Sequence, residues 1–228
     1  MEKKRQWLLT TTLFISLGLA ACGSQSVLSQ ADANTQTTTK TSTTSTTQTA
    51  SYFEASDLTA TYDESKASKI SLQGTTATAS GEGVTVNGST VEITKAGTYI
   101  VEGTASKVQL KVAAGKEDEV QIVFKNATLK NTEAPVLVDT AKKVILTIAD
   151  GTKNEVADES TSTVKGAIYS DSDLTINGKG SLTVTGAASN AIKSKDGIRI
   201  VDATVTTTAK KHGVAANDFV NVSGATLN

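Results

Sequence analysis

Hydrophobic and polar residues alternate in short runs from about Leu58 onward. Two such runs, residues 84–87 and 91–93, flank an Asn-Gly dipeptide, and another covers residues 144–148. A period of two is typical of β-strands with one buried face, and Asn-Gly favours a tight hairpin turn. Since no run keeps a 3.6-residue period over three turns, the sequence predicts an all-β domain. Further predicted strands are residues 97–103, 108–112 and 120–124.

The last third of the chain repeats itself, in units that begin at Ala167, Ala191 and Gly213. Apolar residues recur at the second, eighth and tenth positions of each unit. These aligned sets are Ile168, Ile192 and Val214; Leu174, Ile198 and Val220; and Ile176, Ile200 and Val222. One unit of this size cannot bury its own apolar face, whereas stacked units can. The repeat therefore predicts a parallel β-solenoid with about three short strands per unit.

Two other folds have comparable periods. A leucine-rich repeat needs an L-x-x-L-x-L-x-x-N run, which the chain lacks. A β-sandwich also has regularly spaced short strands and stays open as the alternative fold, although recurrence at a nearly fixed period favours the solenoid. The chain ends at Leu227 and Asn228, within a repeat unit. We therefore expect a fragment of a longer protein, because natural solenoids cap their open ends.

Composition narrows the functional classes. Hydrophobic residues make up 38 % and aromatic residues 4 % of the 228 residues, with one Cys, one His and a net charge of −1. A single Cys cannot form a disulfide within the chain, and a thiolate zinc site needs several Cys or His ligands. The near-neutral charge without a basic block argues against nucleic-acid binding.

The N-terminus has the pattern of a targeting segment. Lys3, Lys4 and Arg5 precede a mostly apolar stretch, residues 7–21, that is too short to span a bilayer comfortably. The stretch ends in Leu-Ala-Ala before Cys22, which resembles the lipobox of bacterial lipoproteins and implies that Cys22 carries a lipid. An ordinary secretory signal with a coincidental Cys is the alternative. The expected location is the extracellular face of the bacterial cell membrane, with the chain held by its lipid anchor.

A low-complexity segment follows, with 16 Ser or Thr among the 28 residues 24–51. Such a composition cannot bury a core and predicts a disordered tether. The expected organisation is a signal peptide at 1–21, a lipidated and disordered linker at 22–56, and a solenoid domain at 57–228.

Residues 167–184 and 191–196, together with 97–103 and 151–154, resemble a family of bacterial carbohydrate-binding lipoproteins. The resemblance covers roughly residues 58–228. It implies a right-handed, single-stranded parallel β-helix related in fold to pectate lyases. It also implies binding of calcium and of plant polysaccharides such as cellulose and polygalacturonate.

Acidic and amide side chains recur at equivalent turns of the repeat: Asp171, Asp173, Asp196, Asn217 and Asp218. Stacked units would bring them close together, and calcium prefers several oxygen ligands in irregular geometry. The sequence therefore predicts Ca²⁺ between coils, a prediction that the family resemblance strengthens. The alternative is that these are solvated turn residues, since Asp and Asn favour turns for local reasons. Separately, we expect Asn126, Asn131 and Asn154 to stack in an inner amide ladder.

Few aromatic residues remain for sugar recognition, and Tyr169 is the best surface candidate because it is adjacent to the acidic turns. The basic residues of the same repeats, Lys193, Lys195 and Arg199, would approach an anionic glycan. Arg199 is flanked by Ile198 and Ile200 and should therefore point away from the core.

The sequence predicts a monomeric surface lipoprotein that binds an acidic or plant-type polysaccharide with calcium and without catalysis. Two alternatives stay open. One is a calcium-dependent polysaccharide lyase, in which Arg199 would abstract a proton. The other is a structural or adhesive spacer that binds no glycan.

Overall fold

The computed structural model describes residues 52–228, which form nineteen β-strands. Within this range no helix has the length and hydrophobicity needed to cross a membrane. The predicted lipid attachment at Cys22 and most of the predicted linker lie outside the described residues. The strands are β1 Ser68–Gly74, β2 Thr76–Ser80, β3 Val84–Asn87, β4 Thr90–Ile93, β5 Gly97–Ser106, β6 Gln109–Ala113, β7 Glu119–Asn131, β8 Val136–Thr140, β9 Lys143–Ile148, β10 Lys153–Asp158, β11 Gly166–Ser170, β12 Asp173–Gly178, β13 Ser181–Gly186, β14 Asn190–Ser194, β15 Ile198–Val201, β16 Thr204–Ala209, β17 Val214–Ala216, β18 Val220–Ser223 and β19 Thr226–Leu227.

The strands wind into a parallel β-solenoid of about five turns with three faces. The first face is built from β4, β6, β8, β11, β14 and β17. The second face contains β9, β12, β15 and β18 with the first halves of β5 and β7, and the third contains β10, β13, β16 and β19 with their second halves. This arrangement confirms the predicted all-β solenoid.

The pairing of the last coils confirms the predicted repeat residue by residue. Ile168 pairs with Ile192, which pairs with Val214. The other two predicted sets align in the same way on the second face. Strands stack about 4.8 Å apart, so like residues form continuous apolar ladders inside the solenoid. Ile168, Ile192, Ile198 and Ile200 have no exposed surface.

Two long strands bend from the second face to the third. In β5 the bend lies at Gly103, which has a φ of 95°, and in β7 it lies at Asn126, which has a φ of 57°. A side chain at Gly103 would collide with the carbonyl oxygen of Leu72 in the neighbouring strand. The first turns thus need a residue that adopts a positive φ, Gly103 or Asn126, where the later turns break the strand into two.

Antiparallel hairpins occupy the N-terminal end of the solenoid. β1 and β2 form one hairpin, which the sequence did not predict, and β3 and β4 form the predicted one around Gly88, whose φ is 61°. In the last turn Val220, Val222 and Leu227 are 40 %, 45 % and 43 % exposed.

The chain before β1 packs across the outside of the second face. We call residues 52–64 the strap. Phe53 and Asp57 of the strap are buried, and Glu54 contacts Lys143 of β9. Residues 52–56, which the sequence assigned to the linker, therefore belong to the packed domain. The sequence did not show this boundary because the strap is held by contacts with strands that follow much later in the chain.

The predicted asparagine ladder is wrong. Asn154 is buried and its Oδ1 accepts a hydrogen bond from the Ala127 amide, whereas Asn126 is exposed at its bend. Asn131 accepts a bond from the nearby Glu133 amide. A polar row does cross the coils, but on the outside of the second face. It runs from Thr98 through Gln121 and Thr147 to Asn177, with successive side-chain hydrogen bonds of 3.1, 3.0 and 2.8 Å.

Candidate carbohydrate-binding surface

Tyr169 lies in the middle of an outward-facing row that crosses the first face. Strand alternation turns its neighbours Ile168 and Ser170 into the solenoid, where both have no exposed surface. Tyr169 itself is half-buried. The strand register places the following side chains in one row: Glu92, Lys111, Leu137, Tyr169, Lys193 and Ala215. With strands about 4.8 Å apart, the row extends for about 24 Å.

The centre of this row combines an apolar patch with flanking cations. Leu137 and Tyr169 pair across β8 and β11, and both are half-buried. Lys111 precedes them and Lys193 follows, each on the adjacent strand. Lys111 contacts Asp139 Oδ2 at 3.0 Å, and the Lys193 ammonium donates a hydrogen bond to Asn217 Oδ1. We call Lys111, Leu137, Tyr169, Lys193 and Lys195 the tyrosine surface.

The tyrosine surface continues into the turn after β11. Lys195 Nζ lies 2.8 Å from Asp171 Oδ2, and the Asp171 carboxylate is close enough to the Tyr169 phenol to affect its pKa. Burial raises the pKa of the Tyr169 phenol, and the Asp171 carboxylate raises it further. The same carboxylate raises the pKa of Lys195, so the lysine stays charged. Three of the four residues predicted to bind sugar, Tyr169, Lys193 and Lys195, are thus neighbours.

The predicted calcium residues meet at the corner between the first and second faces, which we call the acidic corner. Burial raises the pKa of Asp196, and the nearby Asp173, Asp218 and Asp171 carboxylates raise it further. Four of the five predicted side chains, the aspartates, are therefore close enough to influence one another electrostatically. Asp173, however, already has partners, because its carboxylate accepts bonds from the Gly197 amide at 3.0 Å and from Arg199 at 3.2 Å.

The acidic corner does not form a ready metal cage. Among residues 52–228, no three Asp, Glu, His or Cys side chains are arranged to hold one ion. Lys195 neutralises Asp171, and Arg199 neutralises Asp173. One oxygen, Asp171 Oδ1, is buried and has no hydrogen-bond partner within the described part of the chain. The donor set as it stands therefore fits calcium poorly.

Arg199 does not join the tyrosine surface. It points away from the core, as the flanking Ile198 and Ile200 predicted, but the strap covers it, and the residue is only 8 % exposed. Its guanidinium contacts Asp57 Oδ2 at 3.3 Å and Asp173 Oδ2 at 3.2 Å, and it lies 4.7 Å from the centre of the Phe219 ring. Arg199 is therefore a structural cation in this fold, and its predicted contact with sugar is not available while the strap is in place.

The strap adds a charged cluster that the sequence did not reveal. The Asp57 carboxylate is fully buried and meets Lys143 at 3.0 Å, Arg199 at 3.3 Å and the Thr175 hydroxyl at 2.6 Å. Burial alone would raise its pKa, but hydrogen bonds from Thr175, the Glu54 amide and Lys143 outweigh burial and hold the pKa below its usual range. The one local sign of this cluster in the sequence was Asp57 itself. Its carboxylate accepts a hydrogen bond from the Glu54 amide three residues earlier, as aspartates in turns commonly do.

Two clefts among the described residues lie beside the strap. One is lined by Tyr62 of the strap with Lys125, Asp150 and Lys179. Another lies on the opposite edge of the strap, against Thr98, Gln121 and Ile145. The tyrosine surface is by contrast an open strip along a regular sheet, a shape that suits an extended chain better than a small molecule.

Comparison with known proteins agrees with this geometry. The profile of a family described as carbohydrate-binding domain-containing protein matches residues 87–228, more than half of the chain. The chain belongs to this carbohydrate-binding domain family. The matched region contains the whole tyrosine surface and the acidic corner but not the strap.

A curated member from Acetivibrio thermocellus, named carbohydrate-binding domain-containing protein, is 34 % identical over 137 residues. The match covers 56 % of this chain and 48 % of the relative, so the chain spans about half the length of that protein. A solved structure titled as the polysaccharide lyase-like protein from C. thermocellum, gadolinium derivative, has a TM-score of 0.60 at 22 % identity. It aligns with 71 % of this chain and 94 % of its own. That likeness shows the shared solenoid fold.

Proposed function

We propose that this member of the carbohydrate-binding domain family binds an acidic or plant-type polysaccharide along the tyrosine surface, without catalysis. The observation that carries the proposal is the pairing of Tyr169 with Leu137 on one side and Lys193 on the other. An aromatic ring offers a large apolar face with a polar tip, which suits the mixed surface of a sugar ring. The flanking ammonium groups suit the carboxylates of uronates.

The charge state of the tyrosine surface supports an anionic ligand. Lys195 is held close to Asp171, but Lys193 meets only the neutral Asn217 amide among the contacts described, so it keeps an uncompensated charge. Lys111 forms ion pairs with Asp139 and Glu92, and these contacts fix its position at the other end of the apolar patch. A uronate chain lying across the coils would meet a cation on each side of Tyr169.

The surroundings of Tyr169 and Arg199 support binding without chemistry. A glycosidase needs two carboxylates on opposite sides of the scissile bond, one of them free to donate a proton. Asp171, the acid beside Tyr169, is neutralised by Lys195. A lyase of the kind considered above would need Arg199 as a base, but Arg199 is covered by the strap and bound to two carboxylates.

Titration calorimetry with oligogalacturonate and with a neutral β-glucan oligosaccharide tests the proposal. We expect Tyr169→Ala to weaken binding about tenfold or more, the scale of an aromatic anchor, and Tyr169→Phe to keep most of the affinity. Lys193→Ala should lower the affinity for oligogalacturonate more than the affinity for the neutral oligosaccharide. Lys153→Ala is the matched control, because Lys153 is exposed on the third face. Equal losses for Lys153→Ala and Lys193→Ala would contradict the proposed surface.

The rival lyase activity has a direct assay. Incubation with polygalacturonate should give no steady rise in the absorbance of unsaturated uronate products, with or without added calcium. Sustained turnover that Tyr169→Ala abolishes would replace the binding proposal with an enzymatic one. A folded protein that binds no glycan would instead favour the structural spacer.

Calcium, the lipid on Cys22 and the extracellular location stay predictions. The calcium prediction concerns the acidic corner, where a cation would offset the repulsion that Asp196 experiences from its neighbours but would compete with Lys195 and Arg199. A thermal-shift titration with calcium and EDTA tests it, with Asp196→Asn as the variant. Mass spectrometry of the mature N-terminus tests lipidation of Cys22.

A further inference from the structure

The strap holds a carboxylate in a fully formed receptor on the second face. Asp57 Oδ1 accepts bonds from Lys143 Nζ at 3.0 Å and from Thr175 Oγ1 at 2.6 Å, while Oδ2 faces Arg199 at 3.3 Å. These three partners come from the successive strands β9, β12 and β15 of the solenoid. The receptor therefore belongs to the rigid sheet, and only its occupant belongs to the strap.

The rest of the covered face also has the chemistry of a sugar-binding surface. Asn177 donates bonds of 3.0 Å to the strap carbonyls of Asp57 and Thr59, and Gln121 donates one of 3.4 Å to Thr61. These side chains are amides in an ordered row, linked through Thr147. Amides and hydroxyls that bind backbone carbonyls can equally bind sugar hydroxyls, because both kinds of ligand offer oxygen acceptors.

The strap is held mainly by polar contacts and has few buried apolar contacts that would resist displacement. Of its thirteen residues, 52–64, only Phe53 and Asp57 are buried, and the others are half-buried or exposed. Clefts open along both edges of the strap, beside Gln121 on one side and Tyr62 on the other. Segments with few buried apolar contacts open locally at a lower free energy than the core.

We propose that Lys143, Thr175 and Arg199 form a second binding site, for the carboxylate of an acidic sugar, and that Asp57 of the strap is its resident internal ligand. An incoming uronate displaces the strap and takes the place of the Asp57 carboxylate. The strap is thus an autoinhibitory contact on the second face. This site is separate from the tyrosine surface on the first face and does not depend on it.

Chemical rescue in the full chain tests the receptor. Asp57→Ala empties it and leaves Lys143 and Arg199 short of a partner. We expect acetate or galacturonate to raise the melting temperature of this variant by about 2 °C or more at several-fold excess over Kd. Galactose and sodium chloride of equal ionic strength should not do so, and the wild type should respond less. No rescue by either carboxylate in folded Asp57→Ala would overturn the proposal.

Hydrogen exchange tests displacement without any substitution. At saturating oligogalacturonate, amides of residues 52–59 in the wild type should exchange about tenfold faster or more, while β12 stays protected. Unchanged protection of the strap at saturation contradicts displacement, and this measurement stands even where Asp57→Ala does not fold. In Tyr169→Ala the strap response should persist, so failure of the tyrosine surface and failure of this site are distinguishable.

Discussion

Asp57 and Lys143 are 86 positions apart in the chain, yet their side chains meet at 3.0 Å with almost no exposure to solvent. Each charge is buried only because the other is present, together with Glu54 and Arg199. Breaking such a pair leaves an uncompensated charge in a poorly solvated place. The pair therefore ties the strap to the solenoid and makes strap docking sensitive to charge.

Lysines 142 and 143 provide a matched test of this burial. Lys143→Met should destabilise the domain by about 3 kcal/mol, because Asp57 would stay buried with the more distant Arg199 as its remaining cation. Lys142→Met removes a surface pair with Glu119 at 2.8 Å and should cost less than about 1 kcal/mol. Urea denaturation of the two variants measures the difference. Equal costs would show that Asp57 is solvated in the folded protein.

Acid should loosen the strap. The folded-state pKa of Asp57 lies below its ordinary value of 3.8, and that of Glu54 lies below 4.5, mainly through its hydrogen bond with Lys143. Because both values are lowered, the carboxylates stabilise the folded state above pH 4.5. That stabilisation is lost as the pH falls from there through the folded pKa values. We expect the protection of strap amides against hydrogen exchange, relative to the unfolded chain at the same pH, to fall below about pH 4 in the wild type. In Asp57→Ala this protection should depend less on pH.

Asp158 should show the opposite pH dependence. Its carboxylate points into the solenoid, where burial raises its pKa above 3.8, and its Oδ2 has no hydrogen-bond partner among the described residues. With a raised pKa, its stabilising effect is complete below pH 3.8 and is lost as the pH rises through the folded value. Asp158→Asn should therefore gain stability relative to the wild type between pH 3 and pH 7.

The Asn side chain preserves the oxygen that accepts the Ala187 amide, so the Asp158→Asn comparison isolates the charge. Asp150→Asn is the control, because Asp150 is exposed in the turn after β9. Denaturant midpoints of the wild type and both variants, measured at pH 3 and pH 7, test this prediction. A pH-independent difference between wild type and Asp158→Asn would mean that Asp158 titrates normally.

Two glycines with positive φ should tolerate alanine differently. Gly178 has a φ of 102°, and a Cβ there would collide with the Ile148 carbonyl oxygen of the previous coil. Gly88 has a φ of 61° in the β3–β4 turn and open space around it. We expect Gly88→Ala to cost about 1 kcal/mol and Gly178→Ala clearly more, since the coils must separate. Melting temperatures from thermal denaturation rank the two variants. A larger loss for Gly88→Ala than for Gly178→Ala would contradict close stacking at Gly178.

The tyrosine surface could be predicted because it is built from one repeat position. Tyr169 and Lys193 occupy equivalent places in successive units, and stacking converts equivalence into contact. The same logic brought Asp171, Asp173, Asp196 and Asp218 together at one corner. It could not show that Lys195 would pair with Asp171 and Arg199 with Asp173, because those ion pairs depend on rotamers and on the strap.

The sequence by itself determined the solenoid and its register. Period-2 alternation sets which side chains point inward, and a repeat near 22–24 residues sets which of them stack, so Ile168, Ile192 and Val214 could be aligned from the letters alone. Only the tertiary structure decided where the strap lies and what Arg199 does. Arg199 and the Tyr52 carbonyl that it binds are 147 positions apart, and no local pattern encodes that distance. The strap lies there because its Asp57 carboxylate fits between Lys143 and Arg199, two cations on the outside of the second face.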